Sequence, residues 1–188
     1  MGLNIIYILF YFSVFFQSNG QIFESFNMAS LWKLPVLYII ENNMYGMGTA
    51  VNRASAGSDL YKRGESFGIN GTIVDGMNVF QVIDSAQKAG DFVREGNGPY
   101  ILEVQTYRYR GHSMSDPAKY RSKEELENYK LNDPLEIASQ EIIKKKIASK
   151  KDLENIVLEI KNYLEILNSR SKLLNVIKDE LNEIKKEF

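Results

Sequence analysis

The run Pro35-Val36-Leu37-Tyr38-Ile39-Ile40-Glu41 is short, apolar and rich in branched side chains, and it stops abruptly at the amides Asn42-Asn43. Such a run reads as a buried strand that delivers its last residues to an open sheet edge. Two more runs of the same kind follow, Gly71-Thr72-Ile73-Val74 and Tyr100 to Tyr107. Between the last two lies a segment with apolar residues Val79, Val82, Ile83, Ala86 and Val93 at helical spacing. Asn78 is placed to cap it and Gly96 to end it. Strand, helix and strand in alternation predict an α/β fold, a parallel sheet with covering helices. In such sheets ligands bind beyond the carboxyl ends of the strands, which puts the Asn pair where a ligand is expected.

The remaining segments fit this frame. Ile22 to Trp32 carries apolar residues on more than one side and predicts a well-buried helix, ended by Lys33-Leu34-Pro35 because proline disfavours helix in the residue before it. Residues 44–70 are rich in Gly, Ser and Ala, and predict a long connection with one short helix. From Arg108 to Tyr120 no period is visible, only Arg, Gly, His, Ser, Asp and Pro, which reads as a functional loop. Ser122-Lys123-Glu124-Glu125 has capping-box spacing, and Asp133-Pro134 puts a cap before a first-turn proline, so two helices follow.

Both ends differ in kind from the middle. Met1 to Phe16 is apolar and free of side-chain charge. It reads as a buried central strand, as an export-signal core without its basic flank, or as a membrane tether, although it is shorter than the roughly 20 residues a spanning helix needs. From Leu153 to Phe188, apolar residues keep an alternating three-four spacing broken only at Arg170. This predicts a helical hairpin or coiled-coil arm, or an amphipathic helix packed on its own domain, with a break at Asn168-Ser169-Arg170-Ser171.

Composition narrows the chemistry. A formal net charge of -1 and the lack of a basic cluster interleaved with aromatics argue against nucleic acid as a partner. The absence of cysteine among the 188 residues removes disulfides, thiolate metal sites and cysteine nucleophiles together. Imidazole chemistry is confined to His112. Its neighbours Arg108, Arg110, Ser113 and Ser115 suit a phosphate, while the alternative is a plain surface histidine. The Asn pair offers amide oxygens, which suit a hard cation such as Mg2+, or simply make a turn.

Several stretches carry a family resemblance in combination. They are Gly20 to Ala29, Leu31-Trp32-Lys33-Leu34-Pro35, Glu41-Asn42-Asn43, Tyr45-Gly46-Met47-Gly48-Thr49, Tyr61-Lys62-Arg63-Gly64, Val74-Asp75-Gly76-Met77 and Tyr107 to Pro117. Together they closely resemble the alpha subunits of the pyruvate dehydrogenase (acetyl-transferring) family, from about Gln17 to Asp133-Pro134. The related branched-chain 2-oxoacid and acetoin enzymes share several of these motifs. The resemblance implies a thiamine-diphosphate-binding α/β domain over 17–121, preceded by a non-family segment 1–16 and followed by C-terminal helices over 122–188.

It further implies an alpha2beta2 heterotetramer with thiamine diphosphate and Mg2+ at the subunit interface. Pyruvate would be decarboxylated there and the acetyl group passed to a lipoyl-bearing acyltransferase, in the cytoplasm of a bacterium or the mitochondrial matrix. By motif match, Asn43 would bind Mg2+ through its side chain and Tyr45 through its backbone carbonyl. His112 would lie beside the diphosphate as the catalytic residue, with Arg108 and Tyr109 holding its loop. Ser113 matches a serine that a kinase phosphorylates in mitochondrial relatives, where added negative charge would repel an anionic cofactor. Arg110 and Pro117-Ala118-Lys119-Tyr120 look more like bacterial members.

One departure stands out. The family's motif opens with Gly-Asp-Gly, whose Asp is the principal Mg2+ ligand, and Ser13-Val14-Phe15 occupy those positions. Loss of that carboxylate removes both a strong bond and charge compensation. The abrupt switch at Gln17 suggests that residues 1–16 come from a shifted reading frame or a false start. A catalytically inactive remnant that keeps the scaffold is therefore the second reading.

Overall fold

A computed structural model describes residues 8–13 and 20–187, with side chains described for 20–175. Val14, and the readings of residues 1–7 and 14–19, lie outside the described residues. The chain divides into two units, Met1–Ala138 and Ser139–Phe188.

In the first unit, β1 (Ile8–Ser13), β2 (Val36–Asn42), β5 (Asn70–Asp75) and β6 (Tyr100–Gln105) form a parallel sheet in the order β1-β2-β6-β5. The fold is thus the expected α/β arrangement. The first apolar run, expected to be a central strand, instead ends this order: β1 pairs with β2 alone among the described strands. Along β2 every second residue is buried, so Val36, Tyr38 and Ile40 enter the core.

Helix α1 (Gly20–Leu31) meets that face with Ile22, Phe26 and Ala29. The Phe26 ring stands edge-on to Tyr38 with centroids 4.8 Å apart, which orients two large side chains as well as burying them. α1 starts at Gly20, two residues before the expected Ile22, and stops before Pro35 as anticipated. Helix α3 (Val79–Arg94) makes the crossover from β5 to β6 and buries Ala89, Gly90 and Val93. Asn78 caps it, its side-chain oxygen accepting the N–H groups of Phe80 and Gln81 at 3.1 and 3.3 Å.

The connection 44–70 holds more structure than the one short helix expected. A two-stranded ribbon of β3 (Tyr45–Gly46) and β4 (Thr49–Ala50) leads into α2 (Val51–Ala54) and then a 3-10 helix over Leu60–Phe67. After β6 and an irregular loop come α4 (Lys123–Lys130) and α5 (Pro134–Lys144). Ser122 caps α4 through Glu125 N–H at 3.0 Å, and Asp133 accepts Leu135 N–H at 2.8 Å at the start of α5.

The second unit is dominated by α6 (Lys150–Glu187), one uninterrupted helix of 38 residues. The break expected at Asn168–Ser171 is not there. Ser169 Oγ donates to the Glu165 carbonyl one turn back at 2.9 Å, so its hydroxyl is satisfied inside the helix rather than competing with it. Along its described side chains Ile156, Ile160, Tyr163, Leu167 and Leu174 are exposed. No helix among the described residues is long and apolar enough to cross a membrane.

Candidate functional site

The two amides at the end of β2 have different surroundings. Asn42 is buried and its side-chain N–H donates to Glu103 Oε1 at 2.7 Å, while its oxygen accepts Met44 N–H at 3.0 Å. Glu103 sits on β6 opposite Ile40 and is fully buried. Its second oxygen accepts Tyr61 N–H from the 3-10 helix at 3.0 Å. Arg63 contributes positive charge toward the Glu103 carboxylate, while burial depresses the affinity of that guanidinium for its proton. Asn43 is half-buried, and its oxygen accepts Tyr45 N–H at 3.3 Å. A carboxamide oxygen has two lone pairs, so this turn leaves one for another partner.

The hairpin that follows is clamped at its first strand. Tyr45 donates its hydroxyl to Glu125 of α4, 3.1 Å from either carboxylate oxygen, and burial together with that carboxylate raises its pKa to about 12. Its ring lies against Tyr120, with centroids 5.4 Å apart, and the Arg121 guanidinium stands 5.8 Å from the Tyr45 centroid. Beside it opens a cavity of about 480 Å³ lined by Asn42, Tyr45, Ser55, Gln105, Glu125 and Tyr129, among others.

The loop from Arg108 to Tyr120 comes to the same hairpin. Arg108 donates to the Met47 carbonyl at 3.0 Å and to Tyr120 Oη at 3.2 Å, and its Nη1 lies 3.4 Å from His112 Nδ1. An arginine can only donate, so a hydrogen bond here takes Nδ1 as its acceptor. His112 N–H and Ala118 N–H donate to Asp116 at 2.6 and 2.8 Å, and Tyr120 Oη adds a third bond at 2.8 Å. These three donors, the two backbone groups first, lower the Asp116 pKa to about 2. Gly111 packs so closely on Asp116 that a Cβ there would fall 2.5 Å from its carbonyl oxygen. Arg121 braces the loop from behind, donating to the carbonyls of Arg108 and Arg110. Tyr109 donates to Asp133 at 3.0 Å. Ser113 is exposed, its hydroxyl 3.1 Å from that of Ser115.

The structure therefore joins Tyr45, Arg108 and His112 through direct contacts and through Tyr120, with Asn43 at the foot of the same hairpin. The donors fit a diphosphate and its hard cation in kind. Asn43 supplies a neutral oxygen, and Arg108 keeps one buried Nε with no partner among the described residues. No group of three or more acidic, His or Cys side chains able to hold a metal ion exists among the described residues.

Five residues outside the site residues expected from the sequence shape this region: Glu103, Asp116, Tyr120, Arg121 and Glu125. Glu103 carried the one usable signal, a carboxylate in the middle of an otherwise apolar strand. Burying such a group is costly unless it is bonded, so its presence implies partners.

With this geometry in view, comparison with known proteins places the chain. It belongs to the dehydrogenase E1 component family, whose model matches residues 17–171. Its relatives include the pyruvate dehydrogenase E1 component subunit alpha of Rickettsia felis, 55% identical over 148 residues, which are 79% of this chain and 45% of that protein. The protein of the same name from Rhizobium meliloti is 52% identical over 155 residues, 82% of this chain and 44% of the relative. The mitochondrial subunit of Sminthopsis macroura is 46% identical over 150 residues, 79% of this chain and 41% of the relative. The chain thus spans a little under half the length of these relatives.

Proposed function

We propose that this chain provides part of an alpha subunit's contribution to a thiamine-diphosphate-dependent pyruvate dehydrogenase. The observation that carries the proposal is the joining of the Asn-pair hairpin to the His loop by one side chain: Arg108 reaches both Met47 O and His112. In this reading Asn43 Oδ1 and the Tyr45 carbonyl bind Mg2+, and Arg108 and His112 face the diphosphate. His112, its Nδ1 turned to Arg108, presents its Nε2 edge to the anion. When bound, thiamine diphosphate supplies the electron sink that decarboxylation of a 2-oxoacid requires. Arg121 and Asp116 keep the loop in place while this happens.

The reading carries a beta subunit as partner in an alpha2beta2 assembly, pyruvate as substrate and a lipoyl-bearing acyltransferase as acceptor. The cytoplasm of a bacterium or the mitochondrial matrix is the expected setting. Ser113 stays a phosphorylation candidate, exposed and close in sequence to His112.

A second reading, an inactive remnant that still docks on a beta chain, is favoured by Val14 at the family's aspartate position. Isothermal titration of the chain, with and without a beta subunit, against Mg2+-thiamine diphosphate separates the two. Saturable binding that N43A weakens supports the first reading; no heat of binding in either setting overturns it.

A further inference from the structure

The structure assigns Glu103 as the positioning residue of the Asn-pair turn, a role that rests on the reading just given for Asn43 and Tyr45. Glu103 has no exposed surface and so touches no ligand. Its effect passes through Asn42. Both Glu103 oxygens accept, one from the Asn42 NH2 at 2.7 Å and the other from Tyr61 N–H, and the Asn42 oxygen faces Met44 N–H. A reversed amide would set oxygen against the carboxylate and NH2 against N–H, two repulsions in place of two bonds.

This fixed amide holds Met44 in the left-handed region at φ 65°, an unfavourable conformation for a side chain with a Cβ. The Met44 carbonyl accepts Val51 N–H at 2.9 Å, and the Asn42 carbonyl accepts Thr106 N–H at 2.9 Å. Asn43 lies between two residues that are both pinned, so its backbone is held on either side, and its carboxamide oxygen accepts Tyr45 N–H at 3.3 Å. The other Glu103 oxygen accepts Tyr61 N–H, tying the same group to the 3-10 helix.

Glutamine cannot replace this carboxylate. It has one accepting oxygen for two donors, so its NH2 would confront either Asn42 or Tyr61. A swap can repair the polarity. In N42D/E103Q the new amide at 103 donates to the new carboxylate at 42, which still accepts Met44 N–H, while the amide oxygen at 103 accepts Tyr61 N–H.

The test uses the full chain with its beta partner, Mn2+-thiamine diphosphate as probe, and hydrogen exchange at Met44 and Tyr61 as a readout independent of activity. E103Q is expected to weaken Mn2+ binding on the order of tenfold and to lower exchange protection at Met44. N42D/E103Q is expected to recover both. Weak binding in E103Q with no recovery in the double variant, or unchanged Met44 protection in E103Q, overturns the assignment. If the unaltered chain binds no cofactor, the functional reading fails, and loss and recovery of Met44 protection still decides whether Glu103 sets the turn. Should E103Q not fold, a folded double variant with native Met44 protection supports the assignment and an unfolded one overturns it.

Discussion

Tyr45 and Glu125 lie 80 residues apart in sequence, and the tyrosine hydroxyl is 3.1 Å from both oxygens of the glutamate. The hairpin after the Asn pair is therefore fastened to the helix after the His loop.

That bond should be visible in alkali. Tyr45 titrates near 10.0 when unfolded and is held at about 12 in the fold, first by burial and then by Glu125. Since the folded value is the higher, this contribution is complete below pH 10 and is lost as the pH climbs toward 12. Urea unfolding across that window is expected to show a fall in stability that Y45F reduces. At neutral pH, Y45F is expected to cost about 1–2 kcal/mol for a hydrogen bond to a charged acceptor. An unchanged midpoint at both pH values would mean that the contact is not made.

Asp116 makes the opposite prediction at low pH. Its folded pKa of about 2 is below the ordinary 3.8, through the His112 and Ala118 N–H groups and Tyr120. Its contribution is present above pH 3.8 and is lost as the pH falls toward 2. The His112 amide resonance is expected to shift in that window in the native chain. In D116N it should already sit near its acid-limit position at neutral pH.

Gly76 separates strands that leave no room for a side chain. A Cβ there would meet the Gln105 carbonyl oxygen, Thr106 and Val104, each at 2.6 Å, and its N–H donates to that same carbonyl. G76A is expected to destabilise the first unit by about 1–3 kcal/mol, the usual cost of overpacking a tight site. A thermal midpoint equal to that of the parent chain would refute this.

Asn78 offers a milder case. Replacing it with alanine removes the side-chain acceptor for the Phe80 and Gln81 N–H groups at the start of α3, for a loss of about 1 kcal/mol, whereas N78D should keep most of the stability. Chemical denaturation of both variants distinguishes a cap from an incidental contact, which would leave the two equal.

What the sequence revealed was whatever is decided locally. The caps Asn78, Ser122 and Asp133, the helix stop before Pro35 and the apolar strands β2, β5 and β6 depend on neighbours in the chain, and all are found where their residues point. The ribbon Tyr45–Ala50 and the 3-10 helix depend on Glu125, Arg108 and Glu103, which come from far along the chain, and no local pattern announces them. The Asn168–Ser171 error arose because these residues favour breaks by bonding to the backbone, yet Ser169 makes its bond without leaving the helix. For the candidate site, Asn43, Tyr45, Arg108 and His112 were legible as types in a motif. The side chains that aim them were not.

The shared carboxylate of Glu103 also has a kinetic meaning. Its partners lie 61 and 42 residues away along the chain, so neither bond can close before β2, β6 and the 3-10 helix have come together. The amide pair is therefore expected to take its shape only after both of those loops have closed. Mutations at Asn42 should thus speed unfolding and leave the folding rate almost untouched.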